Sequence, residues 1–200
     1  MMDEDNNDGE STDGFPARKK KKTRPPAKIT ARHLENVALY YLERFATSSE
    51  NLRAVLKRRV YKSARFHQTD PDQGYDLVDQ LITRFLSSGL LDDQAYANFR
   101  VTTLRRRGKS RRAIISGLLA KGLGKDIIER AFEKMADAND EGNDELQAAL
   151  TYARKRRLGR YGNADDREDR RDRDLGKLAR AGFSYDIALA IIDGDEGDEF

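Results

Sequence analysis

A chain of 200 residues with no cysteine, two histidines, and 38 Lys and Arg against 35 Asp and Glu has no thiol for a disulfide framework or a thiolate zinc site and too few histidines for a histidine-rich metal cage, which suits a reducing, cytoplasmic setting. No apolar run approaches the roughly 20 residues that span a bilayer, and the opening MMDEDNNDGE is too acidic for a signal peptide, so a soluble, unsecreted protein is expected. At 38% hydrophobic and 36% charged, the chain can bury only a thin core, which argues against a deep enzyme cleft.

The net charge of +3 conceals segregation. Residues 1–14 carry six acids and no base; residues 15–30 carry seven bases and no acid, including Lys19, Lys20, Lys21 and Lys22. Neither stretch has apolar periodicity, and Pro16, Pro25 and Pro26 oppose a helix, so 1–30 is expected to be a disordered charged tail. Residues 31–192 hold 31 bases and 24 acids, a net of +7 on the part that folds. Such a body is expected to meet anionic partners.

All four prolines lie at or before Pro71, and beyond it the chain is punctuated by glycine alone, as a run of ordinary helices would be. Apolar residues then recur at spacings of three and four. Leu34, Val37, Ala38, Tyr41, Leu42 and Phe45 form a first stripe, Leu52, Val55, Leu56 and Val60 a second, and Leu77, Val78, Leu81, Ile82 and Phe85 a third. Tyr96, Phe99, Val101 and Leu104 follow, then Ile114, Ile115, Leu118 and Leu119, then Ile127, Ile128, Ala131, Phe132 and Met135. Leu146, Ala149, Leu150 and Ala153, then Leu175, Leu178 and Ala179, and finally Ile187 to Ile192, bring the expected total to nine helices with no strand.

The junctions repeat. LLAKGLGKDIIERAF at 118–132 aligns without gaps on LARAGFSYDIALAII at 178–192, setting Gly122 against Gly182 and Asp126 against Asp186. The glycine supplies a left-handed residue that ends one helix, and the aspartate sits near the positive end of the next. Upstream, Asp93, Ala97, Arg105, Arg106 and Gly108 align with Asp144, Ala148, Arg156, Arg157 and Gly159, and Arg53-Ala54-Val55 echoes Arg112-Ala113-Ile114. The expected fold is all-α: three tandem three-helix repeats, at 31–89, 90–137 and 143–193, in an elongated, curved body with one concave face. An acidic tail, 194–200, follows. The third repeat departs from the pattern in its charged insert, GRYGNADDREDRRDRD at 159–174, expected to begin as a loop or a solvated helix.

Few residues suggest catalysis. RRRGKS at 105–110 ends like a phosphate-binding loop, but the leading glycine is replaced by Thr103 and no strand precedes it, so Gly108 is better read as a helix C-cap and Ser110 as an N-cap. His33 and His67 have no partner cysteine and read as ordinary surface or half-buried histidines. The carboxylate pairs Asp92-Asp93 and Asp165-Asp166 fall at helix starts, where capping accounts for them. No enzyme, cofactor or metal is expected.

The basic clusters are more informative. A solvated helix face normally mixes signs, whereas residues 53–65, 100–112 and 154–160 contain no acid. The expected contact residues are Arg58 and Arg59 in the first, Arg105, Arg106, Arg107, Lys109, Arg111 and Arg112 in the second, and Arg154, Lys155, Arg156 and Arg157 in the third. Two clusters occupy equivalent places in aligned repeats and are expected to form one stripe. Tyr96, Tyr152 and Tyr161 lie near it; the first two are expected in the core.

ALYYLERFATSSENLRAVLKRRV at 38–60, GLLDDQAYANFRVTTLRRRGKSRRAIISGLLAKGL at 89–123, AALTYARKRRLGRYG at 148–162 and DLGKLARAGFSYDIA at 174–188 together resemble the RecX regulatory proteins of bacteria. The resemblance spans almost all of 31–192. It implies three tandem three-helix repeats and a non-enzymatic modulator of the RecA recombinase, acting in DNA recombination, repair and the SOS response. Such a protein docks in the groove of the RecA filament on single-stranded DNA, restrains ATPase activity and strand exchange, and favours filament disassembly. A cytoplasmic monomer with no cofactor and no membrane is implied. The alternative reading is a helical protein that binds nucleic acid directly, with no recombinase involved. The acidic tail is expected to be solubilising; a fold-back over the basic stripe is the competing reading.

Overall fold

The computed structural model describes residues 25–137 and 144–194. Most of the expected N-terminal tail and all but the first residue of the expected acidic tail lie outside these residues. Among the described residues there are nine α-helices, a 3-10 turn at Gly159–Tyr161 and no strand, as the three-and-four spacing requires.

The helices enclose three cores. α1 (Ala31–Leu42), α2 (Ser49–His67) and α3 (Asp72–Ser87) bury Leu34, Leu52, Leu56, Val60 and Ile82. α4 (Asp93–Arg106), α5 (Arg111–Leu119) and α6 (Lys125–Asp137) bury Val101, Ile114, Leu118, Ile128 and Phe132. α7 (Asp144–Arg156), α8 (Arg167–Arg180) and α9 (Tyr185–Asp193) bury Leu150, Leu178, Ile191 and Ile192. Each fully buried leucine or isoleucine stabilises by about 1.5–3 kcal/mol. Leu91, ahead of α4, packs into the first core.

Side-chain caps set the helix starts. The hydroxyls of Thr30, Ser48, Ser110 and Ser184 and the carboxylate of Asp92 each accept an amide N–H three residues on, worth about 1 kcal/mol apiece. Ser110 therefore has its expected role, and so does Asp92. Asp166 also occupies an N-cap position, but its side chain makes no cap hydrogen bond. Helix ends reuse one turn. At Gly108, φ is +79°, its N–H donates to Arg105 O at 2.8 Å, and Lys109 N–H donates to Leu104 O at 3.0 Å. Gly122 and Gly182 close α5 and α8 with the same pair of bonds. RRRGKS is thus a helix stop followed by a helix start.

At the end of α7 the alignment of Gly108 with Gly159 misplaces the turn. Arg157, two residues earlier, takes the left-handed conformation, φ +53°, and Leu158 N–H donates to Ala153 O at 3.0 Å. Gly159, itself at φ +52°, starts the 3-10 turn instead, where a Cβ would lie 3.0 Å from Ile192 Cα. Phe45 and Phe99, expected on apolar stripes, are 55% and 59% exposed. α1 stops at Leu42, before Phe45. Phe99 lies two residues from the buried Ala97 and Val101, and therefore on the opposite side of a 3.6-residue turn.

Neighbouring units meet at the N-terminus of each middle helix, and the two joints match. Ser48 Oγ donates to Lys121 O at 2.5 Å, and Ser110 Oγ donates to Ala181 O at 2.6 Å. One residue on, Ser49 N–H donates to Asp93 at 2.8 Å, and Arg111 N–H donates to Glu145 at 3.1 Å. The acceptor carbonyls precede Gly122 and Gly182. A Cβ on those glycines would lie 2.3 Å from Glu50 Cβ and 2.6 Å from Ser110 Oγ.

The charged insert, expected to begin as a loop or a solvated helix, begins with the 3-10 turn, runs on as a loop and from Arg167 becomes α8. Arg167 donates to Ile192 O and Gly194 O at 2.9 Å, and Arg171 grips Asp193 with two bonds of 2.7 and 2.6 Å. Asp174, 2% exposed, accepts from Gly159 N–H at 3.2 Å and Lys177 Nζ at 2.7 Å. The insert thereby lengthens the middle helix and ties it to α9.

Candidate anionic-partner surface

The three basic clusters divide into cations already answered by carboxylates and cations that face solvent. On α2, Arg53 and Lys57 both reach Asp79 of α3 at 2.9 Å, and Arg53 also pairs with Glu50. Arg58 and Arg59 are exposed, with no ion pair among the described residues. On α4, the Arg105 side chain is only 10% exposed and pairs with Glu145 of the next unit. Arg111 pairs with Glu129 and lies 4.2 Å from the centre of the Phe132 ring. Arg106, Arg107, Lys109 and Arg112 are exposed and make no ion pair among the described residues. Arg105 thus ties the second unit to the third, the Arg111 side chain is engaged within its own unit, and the other four present the charge.

The third cluster adjoins the second. Lys155 Nζ donates to Arg107 O at 3.1 Å, and Gly108 sits so close to α7 that a Cβ would lie 2.8 Å from Tyr152 N. Arg154 and Arg156 lie 5.3 and 5.7 Å from the rings of Tyr161 and Tyr152, while Arg157 is exposed at the turn. Tyr96 and Tyr152 pack half-buried against their cores, as expected, and Tyr161 does the same. Burial alone would raise the Tyr161 hydroxyl, but Arg160, donating to it at 3.1 Å, and Arg154 together bring it below its ordinary value. The helix-end geometry therefore joins 106–112 to 154–157, whereas Arg58 and Arg59 stand on the first unit.

Between units two and three a groove of about 860 Å³ is walled by Ile115, Leu119, Phe132 and Met135, with Arg112 at its edge. The described residues contain no group of three or more His, Cys, Asp or Glu able to hold a metal. No helix among them is long and apolar enough to cross a membrane. His67 Nε2 donates to Pro26 O at 2.9 Å, fixing the incoming chain rather than a ligand.

Three units, each a three-helix bundle with its own core and joined through matching contacts, define a tandem helical-repeat protein. Residues 92–131, from the N-cap of α4 to the middle of α6, match the family model described as RecX, second three-helix domain. The chain is 40% identical over 184 residues to regulatory protein RecX of Myxococcus xanthus, covering 91% of this chain and 96% of that protein. It is 31% identical to regulatory protein RecX of Agrobacterium fabrum, covering 78% and 80%. The crystal structure of RecX from Lactobacillus salivarius superimposes with a TM-score of 0.54 at 22% identity, over 82% of this chain and 94% of that one. The chain belongs to the RecX family of regulatory proteins.

Proposed function

We propose that this protein regulates the RecA recombinase by docking on the RecA filament assembled on single-stranded DNA, restraining its ATPase activity, strand exchange and growth. The observation that carries the reading is the adjoining pair of cation groups, Arg106, Arg107, Lys109 and Arg112 beside Arg154, Lys155, Arg156 and Arg157, within a chain of the RecX family. A nucleoprotein filament is strongly anionic, and each cation that neutralises a phosphate releases a counterion, so the interaction is strong at low salt and weakens as salt rises. Arg58 and Arg59 add charge from the first unit. In this reading the protein is a non-enzymatic cytoplasmic monomer without cofactor, and its units run over 31–89, 90–137 and 143–193.

The test is to titrate the protein into RecA hydrolysing ATP on single-stranded DNA. Substoichiometric protein slows hydrolysis, and a variant with Arg106, Arg107 and Arg156 changed to Gln requires more protein for the same effect. Hydrolysis unchanged across a wide concentration range, with a folded preparation, refutes the proposal. A protein acting on nucleic acid alone would bind bare and RecA-coated strands equally; a filament regulator gains affinity when RecA is present.

A further inference from the structure

The outer face of α2 takes no part in the joints or in the paired clusters, and its composition is specific. Arg58, Tyr61, Lys62, Arg65 and Phe66 fall at i, i+3, i+4, i+7 and i+8, one stripe of a helix, opposite the buried stripe of Leu52, Leu56 and Val60. Together with Pro26 they line a shallow groove of about 550 Å³. Tyr61 and Phe66 are 53% and 57% exposed, so both rings are open to a partner, and they stand among cations rather than alone. Arg58, Lys62 and Arg65 have no ion pair among the described residues, although Arg53 and Lys57 on the adjacent face are both paired with Asp79.

The incoming chain is anchored beside this stripe. Ala27 O accepts from Ser63 Oγ at 2.8 Å and Pro26 O accepts from His67. From Arg58 to Phe66 the helix rises about 12 Å, enough for a short stretch of extended strand.

We infer that this stripe is a binding site for single-stranded nucleic acid, used without a recombinase: Tyr61 and Phe66 stack on unpaired bases while Arg58, Lys62 and Arg65 neutralise the phosphates. Charge complementarity selects a polyanion, and the two exposed rings select one whose bases are free. A duplex hides its base faces and an acidic peptide has none. This inference rests on a different unit and face from the paired cation groups that carry the filament reading, and shares only Arg58 with it.

The test measures anisotropy of a fluorescein-labelled 15-mer oligothymidylate, and of a duplex of equal length, with the full chain and no RecA. Tyr61→Ala and Phe66→Ala each weaken single-strand binding by about five- to 150-fold while leaving the salt slope unchanged. The triple variant Arg58→Gln, Lys62→Gln, Arg65→Gln lowers the slope of log affinity against log salt by up to about 2. Circular dichroism of all variants matches the parent, because the truncated side chains are exposed. An oligonucleotide carrying 5-iodouracil cross-links on irradiation to Tyr61 or Phe66. The inference is overturned if both ring variants bind the oligonucleotide as the parent does, or if cross-links map only to other helices. It is equally overturned if the intact chain does not bind and binding emerges only when the six acids of residues 1–14 are changed to amides, for then the occupant is the acidic head. Loss of RecA inhibition in the ring variants with oligonucleotide affinity intact would assign the stripe to the recombinase and sink the inference as well.

Discussion

Arg105 and Arg106 are neighbours in sequence with opposite roles in the structure, so exchanging each for glutamine separates folding from binding. Arg105 is nearly buried and pairs with Glu145, a half-buried carboxylate that also accepts the Arg111 N–H. Breaking a fully buried pair destabilises by about 3–5 kcal/mol and breaking an exposed one by about 0–1 kcal/mol. Arg105→Gln lies between, at about 1–3 kcal/mol, since glutamine can still donate one hydrogen bond and α5 still faces Glu145 with its positive end. At about 2–4 °C per kcal/mol for a chain of this size, the melting temperature falls by about 2–12 °C. Arg106 is exposed without an acidic partner, so Arg106→Gln changes stability by no more than about 0.5 kcal/mol. If Arg106 contacts phosphate on a single strand, the slope of log affinity against log salt drops by about 0.7. Thermal unfolding by circular dichroism and salt-dependent binding to RecA-coated single strands read the two effects, with Leu118→Ala, expected to cost about 2–5 kcal/mol, as the unfolding control. An Arg105→Gln protein that melts like the parent yet binds as weakly as Arg106→Gln would refute the division into joint and contact residues.

Arg157→Gly relieves a left-handed non-glycine residue while loosening the unfolded chain, so its net effect runs from neutral to about 1 kcal/mol stabilising; a melting temperature lowered by several degrees would mean that the Arg157 side chain holds the turn. The Arg171 hydrogen bonds hold the Asp193 carboxyl below the ordinary carboxylate range, so the pair supports the fold at neutral pH and loses that contribution as pH falls through the lowered value. In an NMR titration the Asp193 carboxyl therefore has a midpoint below that of an ordinary aspartate, and Arg171→Gln moves it upward; equal midpoints in both proteins would show that the pair does not form in solution.

The helices were legible because apolar spacing and glycine stops are local signals. Gly108, Gly122 and Gly182 end helices through bonds made within about five residues, and Ser110 and Asp92 begin them the same way. What depends on contacts distant in sequence was not legible. The list of basic residues treats Arg105 and Arg106 alike, because the acid that engages Arg105 lies 40 residues away in another unit. Alignment placed the α7 turn at Gly159 because it favours identical letters, whereas the chain turns at Arg157, where the helix has used up its core positions. The α2 stripe was present as spacing alone; the exposure of Tyr61 and Phe66 showed that it was not a second apolar face.

The joints explain how the arginine clusters hold their relative positions. A helix N-terminus leaves amide N–H groups unpaired and carries a partial positive charge. In both joints the following unit supplies a carboxylate to the first amide of the helix and a carbonyl to the capping serine. Asp93 does this for the first joint, and Glu145, one position beyond the residue aligned with it and one methylene longer, for the second. Because the atoms correspond, the second unit sits on the first through the same contacts that seat the third on the second. Ser48→Ala and Ser110→Ala should therefore have similar effects. Each removes a cap, worth about 1 kcal/mol, and leaves a carbonyl unpaired, worth about 1 kcal/mol or more. Each should thus destabilise by about 2 kcal/mol in a urea melt. The serines share no partner, so the double variant should be additive to within about 0.5 kcal/mol. A large effect at one joint and none at the other would show that the matching bonds do not carry matching energy, and that the geometry between units is set by apolar packing instead.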